Sequence, residues 1–343
     1  MRKSEIIIDK SKGDIGEQLA EILRRKIITG EYPPGATLPS LDALVTQIGV
    51  SHNTVQIAFK ALRDLGLVKF RPTVGCVVRD DAPFRAVLVL PEDYGASMDV
   101  WAGLNESLGE CSRTELFIYK DRARFENILQ RLQLENYSGA LIYPEHAAAE
   151  KVSQLRDSGF PVVVIDNFLK DSQQGWLVDS GLFDAGQLLA ETLLQKRYIP
   201  VALVAPDNPE GWKFVDGFRE AHRKRKESVW SQHVKMLMPQ LDAANATKDL
   251  LSSPKPLGAI IYARPIDALA GCAVLREAGR NIPVASFGNL PGMDLWSQPV
   301  ITASRNFRKV GADAGKMLLE LRQLPKPQRL ALRTVKHRPE LAD

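Results

Sequence analysis

Cysteine is scarce: the chain has three in 343 residues. Cys76, Cys111 and Cys272 are far apart, odd in number and in no C-x-x-C pair, so neither a disulfide framework nor a zinc site is indicated. Reduced thiols and a cytoplasmic location are expected. Histidine is nearly as sparse, with His52, His146, His222, His233 and His337 scattered along the chain. No H-E-x-x-H, P-loop or G-x-S-x-G motif accompanies them, so nothing points to an enzyme, a metal or any other cofactor. Long apolar runs are missing too. No segment reaches the roughly 18 apolar residues of a membrane helix, and MRKSEIIIDKSKGD has too interrupted an apolar core for a signal peptide, so no membrane partner is expected. Charge of one sign is not abundant either, the formal net being +4. Its distribution is more informative. Residues 1 to 80 hold 12 Lys plus Arg against 9 Asp plus Glu, an excess of three that leaves only one for the rest. A nucleic-acid contact is therefore sought at the front.

With 45% apolar and 25% charged residues the chain is an ordinary folded protein, long enough for two or three compact units. Ile15, Leu19, Ile22, Leu23 and Ile27 fall at helical spacing, and Gly30 suits the C-cap of that first helix. The stretch EYPPGATLPS cannot continue it, and Ser40 is placed to cap a second helix over about 41–48. A tight turn at Gly49 and Val50 leads to Ser51, the cap of a third helix with Val55, Ala58, Phe59, Leu62 and Leu65 on one face, ending at Gly66. LVKFRPTVGCVV then alternates apolar and polar residues about Pro72 to Gly75, as a hairpin does. RDDAPF reads as a linker. Beyond it the β-rich runs AVLVLP, ELFIYK, GALIYP, PVVVID, PVALVAP, GAIIYA and PVASFG alternate with helical patterns, which predicts βαβ units and parallel sheets covered on both faces.

Three helices and a hairpin make a winged helix-turn-helix. Residues 15 to 79 resemble the DNA-binding domain of GntR-type regulators, carrying GEYPPGATLPS, GVSHNTV and GLV in that family's order and spacing. Residues 86 to about 322 resemble the ligand-binding domain of lactose-repressor and periplasmic sugar-binding proteins, through SGALIYP, GFPVVVID, a Val-Asp with Ala-Gly seven residues on, DGFREA, and the run from Gln298 to Leu321. The implied fold class is α/β, a winged helix-turn-helix plus a two-lobed periplasmic-binding-protein-like domain with Rossmann-like parallel sheets. The expected layout is a DNA-binding domain at 1–79, a linker at 80–85 and an effector and dimerisation domain at 86–324. Lobe one would take 86–166 and 291–324, lobe two 167–290, and a tail 325–343 would add a closing strand near Leu330 to Val335. The resemblance further implies a homodimer on a palindromic double-stranded operator, and a carbohydrate effector between the lobes.

A recognition helix puts its first turn into the major groove. That singles out Ser51, His52, Asn53, Thr54 and Gln56, with Ser40 at the preceding cap. Asn and Gln can pair with adenine, Ser and Thr with bases or phosphates, and His52 with guanine or phosphate. Ser51 and Thr54 can equally serve only the helix start. On the wing, Lys69, Arg71, Thr73 and Gly75 offer two cations and a glycine that lets backbone approach DNA. Where GntR-type domains usually carry arginines, this chain has Asp42, His52 and Gln56, which implies an altered operator.

A sugar site needs aromatic faces for the ring and polar groups for the hydroxyls. Loops after strands supply Asp93, Tyr94, Met98, Asp99, Trp101, Glu145, Asp166 and Asn167 in lobe one, and Trp212, Lys213, Arg264, Asp267, Phe287 and Asn289 in lobe two. Hinge or core packing is the alternative for Trp101 and Trp212, and plain solvation for Asp93 and Glu145. Lactose-repressor relatives carry a hydroxyl-binding arginine where this chain has Phe214, and an Asn-Asp pair where it has Arg264-Pro265-Ile266-Asp267. The resemblance thus implies an effector other than a standard hexose or purine. A ligand-switched regulator, most simply a repressor, is the leading reading. The alternative is a DNA-binding protein whose C-terminal part only dimerises.

Overall fold

The structure is a computed structural model that describes residues 6–9, 11, 13–82, 84–92, 94–109, 112–135, 137–145, 148–166, 175–229, 231–238, 240–288 and 300–341. It divides into two compact units, Met1–Val178 with Phe307–Val335, and Asp179–Asn306 with Lys336–Asp343. The chain therefore passes between units after Val178, Asn306 and Val335.

The first unit begins with α1 (Ile15–Ile28), whose N-cap Asp14 accepts hydrogen bonds from the Gly16 and Glu17 amides. Its buried Leu19, Leu23 and Ile27 pack with Leu44 of α2 (Leu41–Ile48) and with Val55, Ala58 and Leu62 of α3 (His52–Asp64). Ser40 caps α2, and Gly49 ends it at φ 68°, a left-handed conformation that glycine adopts without cost. The hairpin pairs β1 (Val68–Arg71) with β2 (Gly75–Val78), while Thr37 bridges Val77. At its tip the Val74 amide donates to the Arg71 carbonyl, and Thr73, with φ 66°, holds the position where such a turn calls for glycine.

The same unit holds a six-stranded sheet in the order β13-β7-β6-β5-β3-β4. Its strands are β3 (Arg85–Pro91), β4 (Arg113–Tyr119), β5 (Gly139–Ile142), β6 (Val162–Ile165), β7 (Trp176–Asp179) and β13 (Arg333–Lys336). Alternating side chains fill both faces, as a covered parallel sheet requires. Leu88, Leu90, Leu141, Val163 and Ile165 meet α4 (Ser97–Leu108) and α11 (Phe307–Gln323). Val87, Val89, Ala140, Ile142 and Val164 meet α5 (Arg122–Leu134) and α6 (Ala149–Asp157). A Cβ on Gly103 would run into the Arg308 carbonyl, so glycine is what lets α4 and α11 touch backbone to backbone.

The second unit holds another six-stranded sheet, ordered β14-β12-β11-β10-β8-β9. It comprises β8 (Val201–Pro206), β9 (Val234–Leu237), β10 (Ala259–Tyr262), β11 (Val284–Phe287), β12 (Val300–Ser304) and β14 (Glu340–Leu341), which alone runs antiparallel. Helices α7 (Leu182–Gln195), α8 (Pro209–Arg225), α9 (Ala243–Leu251) and α10 (Pro265–Glu277) accompany it.

Two expectations need correction and a third is extended. Strand β7 pairs with β6 in the first sheet and β12 with β11 in the second, so the chain changes unit after each of these strands rather than at 167 and 291. Trp176 and Val178 join the first core, which holds β7 there. The segment 80–85 is no free linker, because Ala82 and Phe84 are buried and Arg322 reaches both, donating to the Ala82 carbonyl and lying over the Phe84 ring. The segment after 324 adds to the expected closing strand a short helix and a second strand. It forms α12 (Lys326–Arg329) and then adds β13 and β14, one strand to the edge of each sheet. Arg329, 2% exposed, donates to the carbonyls of Ile28, Gly159, Leu324 and Arg322 and so ties the end of α1 to the first sheet domain.

Candidate DNA-binding face and ligand sites

At the start of α3 the Ser51 hydroxyl accepts from the Thr54 amide at 3.2 Å and lies 2.9 Å from the Thr54 hydroxyl. Both groups serve the helix start, and Ser40 does the same for α2. His52, Asn53 and Gln56 are exposed along the first turns, His52 with its Nδ1 3.7 Å from an Asp42 carboxylate oxygen. A capped, rigid helix start with exposed amides has the chemistry to read base edges.

The wing is less simple than its sequence. Register pairs Val68 with Val78 and Phe70 with Cys76, so strand alternation sets Val68, Phe70 and Cys76 on the side toward α3 and Lys69 and Arg71 on the other. Lys69 forms an ion pair with Asp80 at 3.3 Å. Thr73 and Arg71 are exposed, and Gly75 has φ 100°. Between α3 and the wing runs a groove lined by Gln56, Phe59, Lys60, Arg63, Val68, Phe70 and Cys76. Of these, sequence reasoning singled out only Gln56, although the parity set by buried Val68 already placed Phe70 on the helix side.

In the first unit the ligand candidates divide. Tyr94 is buried, edge-on to Tyr143 at 5.4 Å and to Phe307 at 6.0 Å. The Trp101 indole donates to the Thr114 carbonyl and packs on the core, so Trp101 takes its structural role. Met98 and Asp99 are exposed at the start of α4. Glu145 is half-buried, with an Oε2 that has no hydrogen-bond partner among the described residues. Asp166 is fully buried in a left-handed conformation, its amide bonded to the Val178 carbonyl. Asp93, Asn167 and Asn289 lie outside the described residues.

In the second unit the strand ends collect a polar set, where open parallel sheets generally place ligands. Trp212, 53% exposed, donates from its indole to Asp207 at 2.8 Å. Lys213 reaches Asp179 at 3.3 Å, and Arg264 holds Asp267 through two hydrogen bonds of 2.7 and 3.1 Å. The Arg305 guanidinium lies 4.9 Å over the Phe287 ring and donates to the Ser180 hydroxyl. A guanidinium stacked on an aromatic face is held in one orientation. Asp179, Ser180, Asp207 and Arg305 were not among the ligand candidates, though each ends or directly follows a strand. No group of His, Cys, Asp and Glu among the described residues could hold a metal ion, and no helix there is long and apolar enough to cross a membrane.

Comparison with known proteins agrees with both halves. Residues 15–78 match the model of bacterial regulatory proteins of the gntR family. The chain is 46% identical over 57 residues to an uncharacterized HTH-type transcriptional regulator, YieP, of Escherichia coli, covering 17% of this chain and 25% of that protein. It is 32% identical over 84 residues to the HTH-type transcriptional regulator Rv1152 of Mycobacterium tuberculosis, covering 23% of this chain and 69% of that one. Rv1152 apart, the matches span about a third or less of the curated relatives' own length. Among solved structures, a transcriptional regulator, CelR, in complex with cellobiose superposes with a TM-score of 0.66 at 17% identity, over 89% of this chain and 99% of that one. A LacI-family regulatory protein from Chloroflexus aggregans gives 0.66 at 15%, over 75% and 96%. These likenesses show the fold, a helix-turn-helix domain followed by two parallel-sheet lobes of the periplasmic-binding-protein type. The likeness to Rv1152, which spans 69% of that protein, together with the gntR-family model over residues 15–78, shows that the chain belongs to the HTH-type transcriptional regulators of the gntR type.

Proposed function

We propose that the chain is a ligand-controlled transcriptional repressor, which grips double-stranded DNA with α3 and the wing and answers to a small molecule of the carbohydrate class. The observation that carries the first half is the helix start at Ser51. Its cap leaves His52, Asn53 and Gln56 exposed on a rigid element, as base reading needs. The second half is supported by the strand ends of the second unit, where Arg305, stacked on Phe287, bonds Ser180 next to the Asp179–Lys213 pair, and Trp212 bonds Asp207. The CelR structure, solved with cellobiose, makes a sugar the natural first ligand to try. Binding as a homodimer to an inverted repeat doubles the contacts of a domain lacking three of its family's usual arginines. Such a regulator works in the cytoplasm and needs no catalytic step.

The test is selection of duplexes from a random-sequence library, followed by a melting screen against sugars and their derivatives. An inverted repeat is the expected winner, with Asn53→Ala and Gln56→Ala relaxing base preference more than affinity. Absence of preference for any duplex over competitor refutes the reading. A second reading, in which the C-terminal part only dimerises, is favoured by the loss of Tyr94 and Trp101 to the core and by the closed Arg264–Asp267 pair. No melting shift with any ligand selects it, because a ligand that binds only the folded form must stabilise it.

A further inference from the structure

We propose that the groove between α3 and the wing seats one strand of duplex DNA, with Phe70 packing against its deoxyribose edge and Lys60 and Arg63 meeting its phosphates. The proposal rests on the reading of the chain as a DNA-binding regulator and adds residues to that same face. Phe70 is 74% exposed on a four-residue strand and extends the apolar lining that Phe59, Val68 and Cys76 supply, and it is such a contiguous apolar patch that marks a contact surface. It lies on the α3 side of the hairpin, opposite Cys76, while the wing's own cations lie on the other side and Lys69 is held by Asp80. The cations that do line the groove come from α3. Gln56, Lys60 and Arg63 are spaced four and three residues apart and share one helical face.

The chemistry of the lining selects the occupant. Its ionisable groups are Lys60, Arg63 and the Cys76 thiol, which burial pushes up to about 11 and so keeps neutral at physiological pH. Among the described residues no carboxylate lines the groove. An apolar floor beside a row of cations suits a chain that alternates phosphates with apolar sugar faces, and it penalises a plain hydrophobic peptide, which would strip water from two cations without replacing it. The groove also begins at Gln56, one turn from exposed Asn53, so a strand lying in it is continuous with a duplex read by the first turn of α3.

The experiment uses the full chain and a short duplex that the wild-type protein enriches from a random-sequence library, with affinity measured by fluorescence anisotropy over a series of KCl concentrations. Phe70→Ala should weaken binding roughly tenfold at every salt concentration and leave the salt slope unchanged, because an apolar contact releases no counterions. Phe70→Leu should recover most of the loss. Lys60→Ala and Arg63→Ala should each flatten the slope by about one. Melting curves matching wild type confirm that these exposed substitutions leave the fold intact. Wild-type affinity in Phe70→Ala, or a changed slope, overturns the role of Phe70, and unchanged slopes in both cation variants overturn the strand's path. If no duplex is enriched at all, the DNA-binding reading itself fails, and this proposal with it.

Discussion

Replacing Arg329 with Met tests how the DNA-binding domain is held to the first sheet domain. The guanidinium is 2% exposed and spends its donors on four carbonyls, Nη1 to Ile28 at 2.5 Å and Gly159 at 2.8 Å, Nε to Leu324 at 2.7 Å and Nη2 to Arg322 at 3.1 Å. Burial, and secondarily the charge of Arg322, lowers its pKa to about 10, so it remains a cation at neutral pH. Methionine keeps much of the volume but strands the Ile28 and Gly159 carbonyls, each costing about 1–3 kcal/mol. Relief of the buried charge offsets part of that, which leaves a net loss of roughly 2–4 kcal/mol in the first unit. For a unit of this size the melting temperature should fall on the order of 5–10 °C. Proteolysis near Asp80 and Asp81 should accelerate as the clasp opens. Gly30→Ala attacks the same contact from the other side, because an added Cβ would overlap the Arg329 guanidinium and Gly30 sits at φ 76°. If Arg329→Met melts like wild type and resists protease equally, the clasp contributes nothing and the reasoning is wrong.

At the wing tip, Thr73→Gly should stabilise the front domain by about 1 kcal/mol, since a β-branched residue at φ 66° is strained and glycine is not. A thermal melt that drops instead would show that the threonine hydroxyl, bonded to the Pro72 carbonyl, outweighs the strain. In the second unit, Arg305→Ala should abolish any sugar-induced rise in melting temperature while leaving operator affinity unchanged; a retained rise removes Arg305 from the ligand site. His222 and His233 are buried, and desolvation holds both below the usual imidazole range. Their unfolded forms take up a proton below about pH 6.5 that the folded forms refuse, so stability is fully present above that pH and is lost as pH falls, at up to about 1.4 kcal/mol per pH unit for each ring. Urea titrations at pH 7 and pH 5 should show the drop, and His222→Phe should lessen it; an unchanged pH dependence in that variant would clear His222.

Much of the architecture was legible because local chemistry and long-range packing agree. Ser40 and Ser51 cap the helices their positions suggest, Gly49 ends α2, and the apolar runs became strands. The unit crossings were not legible. Which sheet Trp176 to Val178 joins is decided by pairing with Val163 to Ile165, and nothing in the strand's own composition encodes that partner. The role of Arg329 was hidden for a related reason, since a lone arginine in a polar stretch looks solvated until four carbonyls converge on it. Among the candidate ligand residues, aromatic character did not foretell burial, since Tyr94 and Phe287 are buried and Trp212 is exposed. Tyr94 and Trp101 were absorbed by the core, whereas Arg305, next to an ordinary strand end, reached the face of Phe287.

The three passages of the chain between its units also bear on how such a protein can arise. Neither lobe is an uninterrupted stretch, so recombination cannot splice one in or out without breaking the other, and the two must be inherited together. The helix-turn-helix and wing, by contrast, occupy a single stretch at the front and can be exchanged in one event, which accords with a family model that spans residues 15–78 alone. A newly grafted front domain would arrive facing Arg329 and would keep its seat only if the end of its first helix offered a carbonyl, and a residue as small as Gly30, to that guanidinium.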